Sequence, residues 1–251
     1  MLKKRIIPTL LYKNATLVKG VAFDSWRRVG SLLQAVKVYN MRDVDELIFE
    51  DITASIENRS PDFNLVDDFA DECFMPLTVG GGIKTIDDVK KLLNVGADKV
   101  SINSASISNP ELIKEASDIF GSQCIVASID VKFKNDKYEV YSKSGTFPTG
   151  IDAVAHAKNM EQKGAGEILL TSIVNDGAMK GYCLDIIEKI TENISIPLIA
   201  SGGAGNYEDI LKVFAINGVE AAAAASIFHF TEQTPIQAKK YLKNKGIPVR
   251  A

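Results

Sequence analysis

Two sets of glycines, each accompanied by a serine further along the chain, carry the clearest chemical signal in this sequence. The first set comprises Gly80, Gly81, Gly82, Asn103 and Ser104, and the second comprises Gly202, Gly203, Gly205 and Ser226. Glycine allows backbone N–H groups to approach an anion closely, and the start of a following helix favours negative charge. One such loop often serves only a tight turn. Two related loops predict two phosphate sites, and therefore a ligand phosphorylated at both ends.

These two sets belong to an internal repeat of about half the chain. Gly82 and Gly203 are 121 positions apart, and so are Glu46 and Glu167. Around the glycines, the segments PLTVGGGI and PLIASGGAG resemble each other directly. Self-similarity at this spacing indicates two copies of one structural unit, each of which brings its own ligand-binding loop.

Composition and charge exclude several classes of function. The 251 residues are 46% hydrophobic and carry a formal net charge of −3, which gives no footprint for nucleic acid or anionic lipid. No apolar run approaches the ~20 residues of a membrane span, and the first segment fits a buried strand better than a signal peptide. We therefore expect neither a nucleic-acid partner nor a membrane partner.

The cysteines and histidines predict a reduced, metal-free protein. Cys73, Cys124 and Cys183 are odd in number and widely spaced, which is typical of reduced thiols in the cytoplasm. The two histidines, His156 and His229, have no carboxylate or thiol at metal-ligand spacing. We expect a cytoplasmic protein with no metal and no cofactor.

Short apolar runs alternate with helical patterns along the chain. Runs rich in Val and Ile, such as KVSIN and EILLTSI, are continuous rather than alternating, as strands covered on both faces require. Thr85, with Asp88 at the capping-box position, predicts the start of one helix. Ser60–Pro61 and Asn109–Pro110 predict two further helix starts, and Gly121 ends the second of these helices.

Eight strand–helix units with right-handed crossovers predict a (β/α)8 TIM barrel. We expect one domain over residues 1–251, built from half-barrel repeats at about 1–121 and 122–251. A doubly wound open sheet is the alternative, and the half repeat favours closure. In a barrel, the segments that follow the strands share one face, so the two glycine loops should meet at one mouth.

Four charged residues lie at or near the beginnings of predicted strands: Arg5, Glu46, Lys99 and Glu167. Strand beginnings lie at the bottom of a barrel, away from the chemistry, where charges are ordinarily solvated. Two positive and two negative charges balance, however, and a buried set must be paired. The four residues therefore predict a ring of salt bridges that closes or gates an axial passage.

The chain resembles, over its full length, the HisF family, which is the cyclase subunit of imidazole glycerol phosphate synthase. The segments that carry the resemblance are KRIIP, DELIFEDITAS, PLTVGGGI, GADKVSINSA, GAGEILLTS, PLIASGGAG and ASIFHF. The charged ring separates the chain from the sister barrel isomerase of histidine synthesis, which shares the phosphate loops. The resemblance implies a glutaminase partner, which docks on the bottom face and passes ammonia through the barrel.

The reaction implied by the resemblance joins ammonia to a ribulosyl aminoimidazole carboxamide nucleotide. This phosphorylated substrate is then cleaved and cyclised, which gives imidazole glycerol phosphate and a carboxamide nucleotide. The implied phosphate residues are Gly82, Asn103, Ser104, Gly203, Ala225 and Ser226, and the implied substrate contacts are Lys19, Asp176 and Gly177. The implied ammonia gate is Arg5, Glu46, Lys99 and Glu167, with Asp98 at the docking face.

The family moves protons with two aspartates, one after the first strand and one after the fifth. Asp130 keeps the second, but Leu11 stands where the first is expected. The internal repeat shows the same gap, because it sets Leu11 opposite Asp130, 119 positions away. The loop at 14–30 also departs from the family. Since leucine cannot carry a proton, Leu11 predicts little or no cyclase turnover.

Three functions stay open on this evidence. The departures favour an ammonia-channelling paralogue that works with a HisH-like glutaminase and a separate amidotransferase. Such a paralogue would help to turn an acetamido sugar of a surface polysaccharide into an acetamidino sugar. The alternative is the histidine-pathway cyclase, a lyase in which Asp130 is the main acid–base group and Lys13, Lys19 or Asp176 has replaced the lost one. The third is a non-catalytic scaffold that activates a glutaminase.

Overall fold

The computed structural model describes residues 3–250, so positions 1, 2 and 251 of the predicted domain lie outside the described residues. Its strands are β1 (Arg5–Lys13), β2 (Thr16–Val21), β3 (Asp24–Gly30), β4 (Leu47–Asp51), β5 (Leu77–Gly80), β6 (Lys99–Ile102), β7 (Ile125–Lys134), β8 (Lys137–Ser142), β9 (Phe147–Asp152), β10 (Glu167–Ser172), β11 (Leu198–Ser201) and β12 (Val219–Ala224). Its α-helices are α1 (Leu32–Met41), α2 (Phe63–Ala70), α3 (Ile86–Asn94), α4 (Ser104–Ser108), α5 (Glu111–Phe120), α6 (Ala153–Gln162), α7 (Leu184–Thr191), α8 (Tyr207–Phe214), α9 (Ser226–Phe230) and α10 (Pro235–Asn244).

Eight parallel strands close into a barrel in the order β1, β4, β5, β6, β7, β10, β11 and β12. Closure shows in two pairings, of β7 with β10 and of β12 with β1. In the first, Asp130 lies opposite Thr171, and in the second, Ile6 lies opposite Ala222. The closed barrel confirms the predicted fold class and excludes the open sheet.

Two antiparallel hairpins stand outside the barrel, and the sequence patterns did not predict them. The hairpin β2–β3 follows β1, and the hairpin β8–β9 follows β7. Each hairpin therefore extends the first strand of one half of the chain. Because the first strands begin the two repeats, the hairpins show that the repeat includes these insertions as well as the barrel strands.

The helix starts follow the capping chemistry with one correction. The Thr85 side chain accepts a hydrogen bond from the backbone N–H of Asp88, and the Asp88 carboxylate accepts one from the backbone N–H of Thr85. The predicted capping box is therefore present. Helix α5 ends at Gly121 as predicted. The start predicted at Ser60 is wrong, because Asp62 caps α2 by accepting a hydrogen bond from Leu65. An Asp carboxylate is at least as good an N-cap as a Ser hydroxyl, and it lies directly before the helix.

The barrel interior is divided into layers along its axis. An apolar layer fills the middle, and its members are Ile7, Ile48, Val126, Leu169, Ile199, Ala221 and Ala223. A larger apolar core packs the helices against the outside of the barrel. The four charged residues of the strand beginnings lie below the middle layer, and a cavity lined by polar and charged residues lies above it, so the two ends of the barrel carry different chemistry. Among the described residues, no helix has both the length and the apolar character needed to cross a membrane.

Candidate functional site

A large cavity opens at the carboxyl ends of the barrel strands. It encloses about 1090 Å³, including space open to solvent, which is large enough for a small-molecule ligand. The predicted phosphate and substrate residues that line it are Lys19, Gly82, Asn103, Ser104, Asp176, Gly177, Gly203, Ala225 and Ser226. Asp130 lines it as well. Barrel closure thus brings both glycine loops and the catalytic candidate to one mouth.

The two predicted phosphate loops have similar backbone shapes. Asn103 precedes α4 with φ −102° and ψ −81°, and Ala225 precedes α9 with φ −127° and ψ −65°. Their serines differ, because the Ser104 hydroxyl accepts a hydrogen bond from the Lys143 N–H at 3.0 Å. The Ser226 hydroxyl is buried and has no hydrogen-bond partner among the described residues. A buried hydroxyl normally has a partner, so Ser226 is free to bind a ligand in the cavity.

Gly82 and Gly203 hold conformations that only glycine adopts without strain. Their φ angles are +79° and +121°. A Cβ at Gly82 would lie 2.6 Å from the Arg59 carbonyl oxygen, and a Cβ at Gly203 would lie 2.1 Å from the Gly181 carbonyl oxygen. Both loops therefore need glycine for their shape, whether or not phosphate binds.

Lys19 and Asp176 form an ion pair in the cavity wall, and Lys19 is 2% exposed. The backbone N–H of Ala22 also donates to the Asp176 carbonyl oxygen at 2.8 Å. A Cβ at Gly177 would lie 2.0 Å from the Gly20 carbonyl oxygen. These contacts fasten the hairpin β2–β3 to the loop after β10. Lys19 and Asp176, the two predicted substrate contacts, are therefore paired with each other. The hairpin β2–β3 lies against the cavity.

Asp130 lies near the carboxyl end of the barrel part of β7 and is 8% exposed. The Asn103 side-chain amide donates to its carboxylate at 3.2 Å and to the Ser128 carbonyl oxygen at 3.1 Å. Burial, and then the charges of Glu50 and Asp176, raise the pKa of Asp130 well above its ordinary value. Asp130 thus holds a proton more tightly than an exposed aspartate does, which suits proton transfer near neutral pH.

The four charged residues at the strand beginnings form a closed, alternating ring at the bottom of the barrel. Arg5 binds Glu46 at 2.7 Å and also binds Glu167. Lys99 binds Glu46 at 3.1 Å and Glu167 at 2.7 Å. Burial alone would raise the pKa of Glu167, but the charges and hydrogen bonds of Arg5 and Lys99 outweigh it and lower that pKa. The two cations of the ring therefore favour the ionised form of Glu167.

Comparison with known proteins identifies the family of this chain. The model of the family described as "Histidine biosynthesis protein" matches residues 5–234. The imidazole glycerol phosphate synthase subunit HisF of Natranaerobius thermophilus is 50% identical over the whole of both chains. The subunit of the same name from Chlorobium limicola is 47% identical, again over the whole of both chains. The chain belongs to the HisF family.

Membership of the HisF family bears on the functions left open by the sequence. Both relatives are named for the synthase, so the comparisons favour the histidine-pathway alternative over the polysaccharide role that the sequence departures favoured. Neither comparison supports a polysaccharide role. Each relative is named a subunit, which is consistent with a complex.

Leu11 lines the cavity of this HisF-family barrel, where it brings no proton-transfer group. Its register partner on the neighbouring strand is Glu50, which also lines the cavity. Burial raises the pKa of Glu50 to about 7, although the hydrogen bond from Ser101 acts in the opposite direction. Glu50 was not among the site residues predicted from the sequence. The signal was available, because Glu46, Ile48 and Glu50 share one face of β4 by the period-two rule.

The docking residue implied by the family resemblance, Asp98, is exposed at the bottom of the barrel. It has a structural contact, since its carboxylate accepts a hydrogen bond from the Leu77 N–H at 2.8 Å where β5 begins. Two large apolar residues lie at the same end of the barrel, Met41 at the end of α1 and Phe74 in the loop after α2, and they are 77% and 83% exposed. The bottom face thus presents apolar surface beside the charged ring.

The remaining candidates do not contribute acid–base chemistry to the cavity. Lys13 lies over the Trp26 ring, 5.6 Å from its centroid, and is not among the residues that line the cavity. Burial lowers the pKa of both His156 and His229 to about 4, so both are neutral at pH 7. Within residues 3–250, no cluster of His, Cys, Asp and Glu is arranged to hold a metal ion.

Proposed function

We propose that this chain is the synthase subunit of an imidazole glycerol phosphate synthase. In this role it joins ammonia to a ribulosyl aminoimidazole carboxamide nucleotide and releases imidazole glycerol phosphate and a carboxamide nucleotide. The observation that carries the proposal is one cavity that contains two repeat-related glycine loops and the buried acid Asp130. The three cysteines are unpaired, which is consistent with a reducing compartment such as the cytoplasm.

Substrate binding in this proposal uses the two loops as phosphate sites. Gly82 and Gly203 let backbone come close to an anion, and Ser104 and Ser226 supply hydroxyls beside them. The Ser226 hydroxyl supports binding of such a ligand, because a buried hydroxyl without a hydrogen-bond partner lowers the stability of the folded protein. A substrate held at both ends would lie across the middle of the cavity, where Asp130 is found.

Ammonia enters, in this proposal, from the opposite end of the barrel. The ring of Arg5, Glu46, Lys99 and Glu167 acts as the gate. Lys99 has the most exposed side chain of the four, at 18%, and is therefore the member that can leave the ring at least cost. A glutaminase of the HisH type docks on the bottom face, at Asp98 and the exposed apolar residues, and forms a heterodimer with this chain.

A second candidate function is favoured by Leu11 and the altered hairpin. Here the barrel only conducts ammonia, and a separate amidotransferase uses it to make an acetamidino sugar. The ring and the docking face would serve both functions equally. The two candidates therefore differ in whether the upper cavity turns over the histidine-pathway nucleotide.

The deciding experiment supplies the purified chain with ammonium at alkaline pH and the histidine-pathway nucleotide. We expect ammonia-dependent release of imidazole glycerol phosphate, and Asp130→Asn should lower kcat by ~10²–10⁴-fold. Wild-type chain that stimulates a cognate glutaminase but shows no turnover with ammonia would overturn the proposal in favour of the second candidate. Turnover that is insensitive to Asp130→Asn would place the chemistry elsewhere.

A further inference from the structure

Four carboxylates line the upper cavity, and their partners divide them into two classes. Asp51 accepts hydrogen bonds from Arg59 and from Thr53. Asp176 is paired with Lys19. Glu50 and Asp130 have no cationic partner among the described residues. Glu50 and Asp130 are therefore the two carboxyl groups of the described cavity that no cation engages, and burial raises the pKa of both.

The strand register sets Glu50 beside the position where a proton-transfer group is missing. Leu11 on β1 lies opposite Glu50 on β4, and Glu50 lies opposite Gly80 on β5. A Cβ at position 80 would lie only 2.8 Å from Glu50 Oε1, which is too close. Because Gly80 has no Cβ, the Glu50 carboxyl group can occupy this space. The Ser101 hydroxyl on β6 then donates to Glu50 Oε1 at 2.8 Å. Three adjacent strands thus aim this carboxyl into the barrel.

Glu50 and Asp130 also lie close enough to influence each other. After burial, the charge of Glu50 is the largest cause of the raised pKa of Asp130. Like charges near each other disfavour double ionisation, so the raised pKa of Asp130 and the pKa of about 7 at Glu50 favour a state in which one carboxyl group is neutral while the other is charged. An acid and a base are therefore available together, as a property of the pair rather than of either residue.

We propose that Glu50 is the second proton-transfer group of the ammonia-dependent reaction, and that it supplies from β4 the carboxyl that Leu11 cannot supply from β1. This inference rests on the proposed function, because it names a group that acts in that reaction. It also removes the reason for expecting an inactive cyclase, since the cavity again contains two carboxyl groups free of cations.

The pair has a defined task when ammonia adds to the ribulosyl carbonyl group. A carbon–nitrogen bond forms, and the π electron pair of the carbonyl moves to its oxygen. The neutral carboxyl donates its proton to that oxygen, and the ionised carboxyl accepts a proton from the new nitrogen. The enzyme ends the step with the same number of protons, and Glu50 and Asp130 have exchanged roles.

The test compares Glu50→Gln with Glu115→Gln in the full chain, using ammonium and the histidine-pathway nucleotide. Glutamine keeps the shape of Glu50 and can still accept the Ser101 hydrogen bond, whereas Glu115 is exposed on α5. We expect Glu50→Gln to lower kcat by ~10²–10⁴-fold while the folded structure, followed by circular dichroism, and the binding of product are kept, and Glu115→Gln to change nothing. The plot of kcat against pH should lose the limb that the titration of Glu50 produces in the wild type. The other ionisable groups that line the cavity are Lys19, Asp51, Asp130 and Asp176, and they are unchanged in the variant.

A rescue variant separates chemistry from structure. Leu11→Asp in the Glu50→Gln background returns a carboxyl to the same register pair, and partial recovery of kcat supports the inference. The role of Glu50 would be overturned if the wild type is active, the kcat of Glu50→Gln lies within about threefold of the wild-type kcat, and the pH profile is unchanged. The proposed function would still stand in that case. An inactive wild type would overturn both, and would do so before any variant is compared.

Discussion

At Glu50 and Asp130, burial favours the neutral carboxyl because the cavity wall solvates a charge less well than water does. Glu167 shows the opposite case, since the charges and hydrogen bonds of Arg5 and Lys99 outweigh its burial and lower its pKa. The same residue type thus serves chemistry in one place and structure in another. What decides between them is the nearest charged neighbour.

The raised pKa of Glu50 makes a prediction about stability. Its pKa rises from 4.5 to about 7 on folding, so the folded state binds this proton more tightly than the unfolded state. The resulting stability is fully present at low pH and is lost as the pH rises from about 4.5 to about 7. Glu50→Gln removes this loss. We expect the melting temperature of Glu50→Gln, followed by circular dichroism, to rise relative to that of the wild type as the pH increases from about 4.5 to about 7. Parallel profiles for the two proteins would contradict it, and Glu115→Gln is the control.

At the scale of elements, each half of the chain contributes the same parts to the cavity. A first strand extends into a hairpin, β2–β3 or β8–β9, and a glycine loop follows β5 or β11. The two hairpins reach the cavity through different residues. Phe23 and Trp26 line it from the first hairpin, and Ser144 lines it from the second. The repeat therefore fixes the architecture, while the hairpins have diverged in the chemistry they present.

The glycine loops give a prediction at this scale. Gly203→Ala should destabilise the protein by more than ~1 kcal/mol and weaken binding of inorganic phosphate, because φ is +121° and the new Cβ would meet the Gly181 carbonyl oxygen. Gly30→Ala is the matched control, since nothing lies within 4 Å of a Cβ there. Thermal unfolding with and without phosphate measures both effects. Equal behaviour of the two variants would show that the loop shape does not matter.

At the scale of the whole molecule, the barrel separates two kinds of chemistry along one axis. The charged ring closes the bottom, the apolar layer fills the middle, and the polar cavity opens at the top. Such an arrangement suits a protein that receives a small molecule at one end and uses it at the other. The bottom face is also where Phe74 is exposed, on a segment that Asn40 holds in place. The Asn40 side chain accepts from the Phe74 N–H at 3.1 Å and donates to the Glu72 carbonyl oxygen at 2.7 Å.

This ordered, exposed aromatic predicts the site of glutaminase docking. Phe74→Asp should weaken association with the cognate glutaminase by at least about tenfold, because a buried aromatic anchor at an interface typically contributes ~2 kcal/mol or more. Phe147→Asp is the control, since Phe147 is 56% exposed on β9 at the other end of the barrel. Calorimetric titration of the two purified proteins measures the affinity. Equal affinities for the two variants would place the partner elsewhere.

The sequence by itself determined the parts that depend on local patterns. Continuous apolar runs predicted the buried parallel strands, Thr85 with Asp88 predicted the capping box, and the repeat predicted that the barrel closes. The spacing of the glycines also identified the loops that line the cavity. Each of these signals lies within a few residues of the feature it specifies, or repeats along the chain.

Only the tertiary structure decided which distant residues are neighbours. Leu11 read alone predicts a missing acid, and its register with Glu50 became visible only when β1 and β4 were paired. In the same way, the family resemblance implied Lys19 and Asp176 as separate substrate contacts, and folding pairs them with each other. Strand register and ion pairing arise from packing across the barrel, where burial and nearby charge set the pKa of each group. The physical reason is that a sequence specifies which side chains face the interior, whereas closure of the barrel specifies which of them meet.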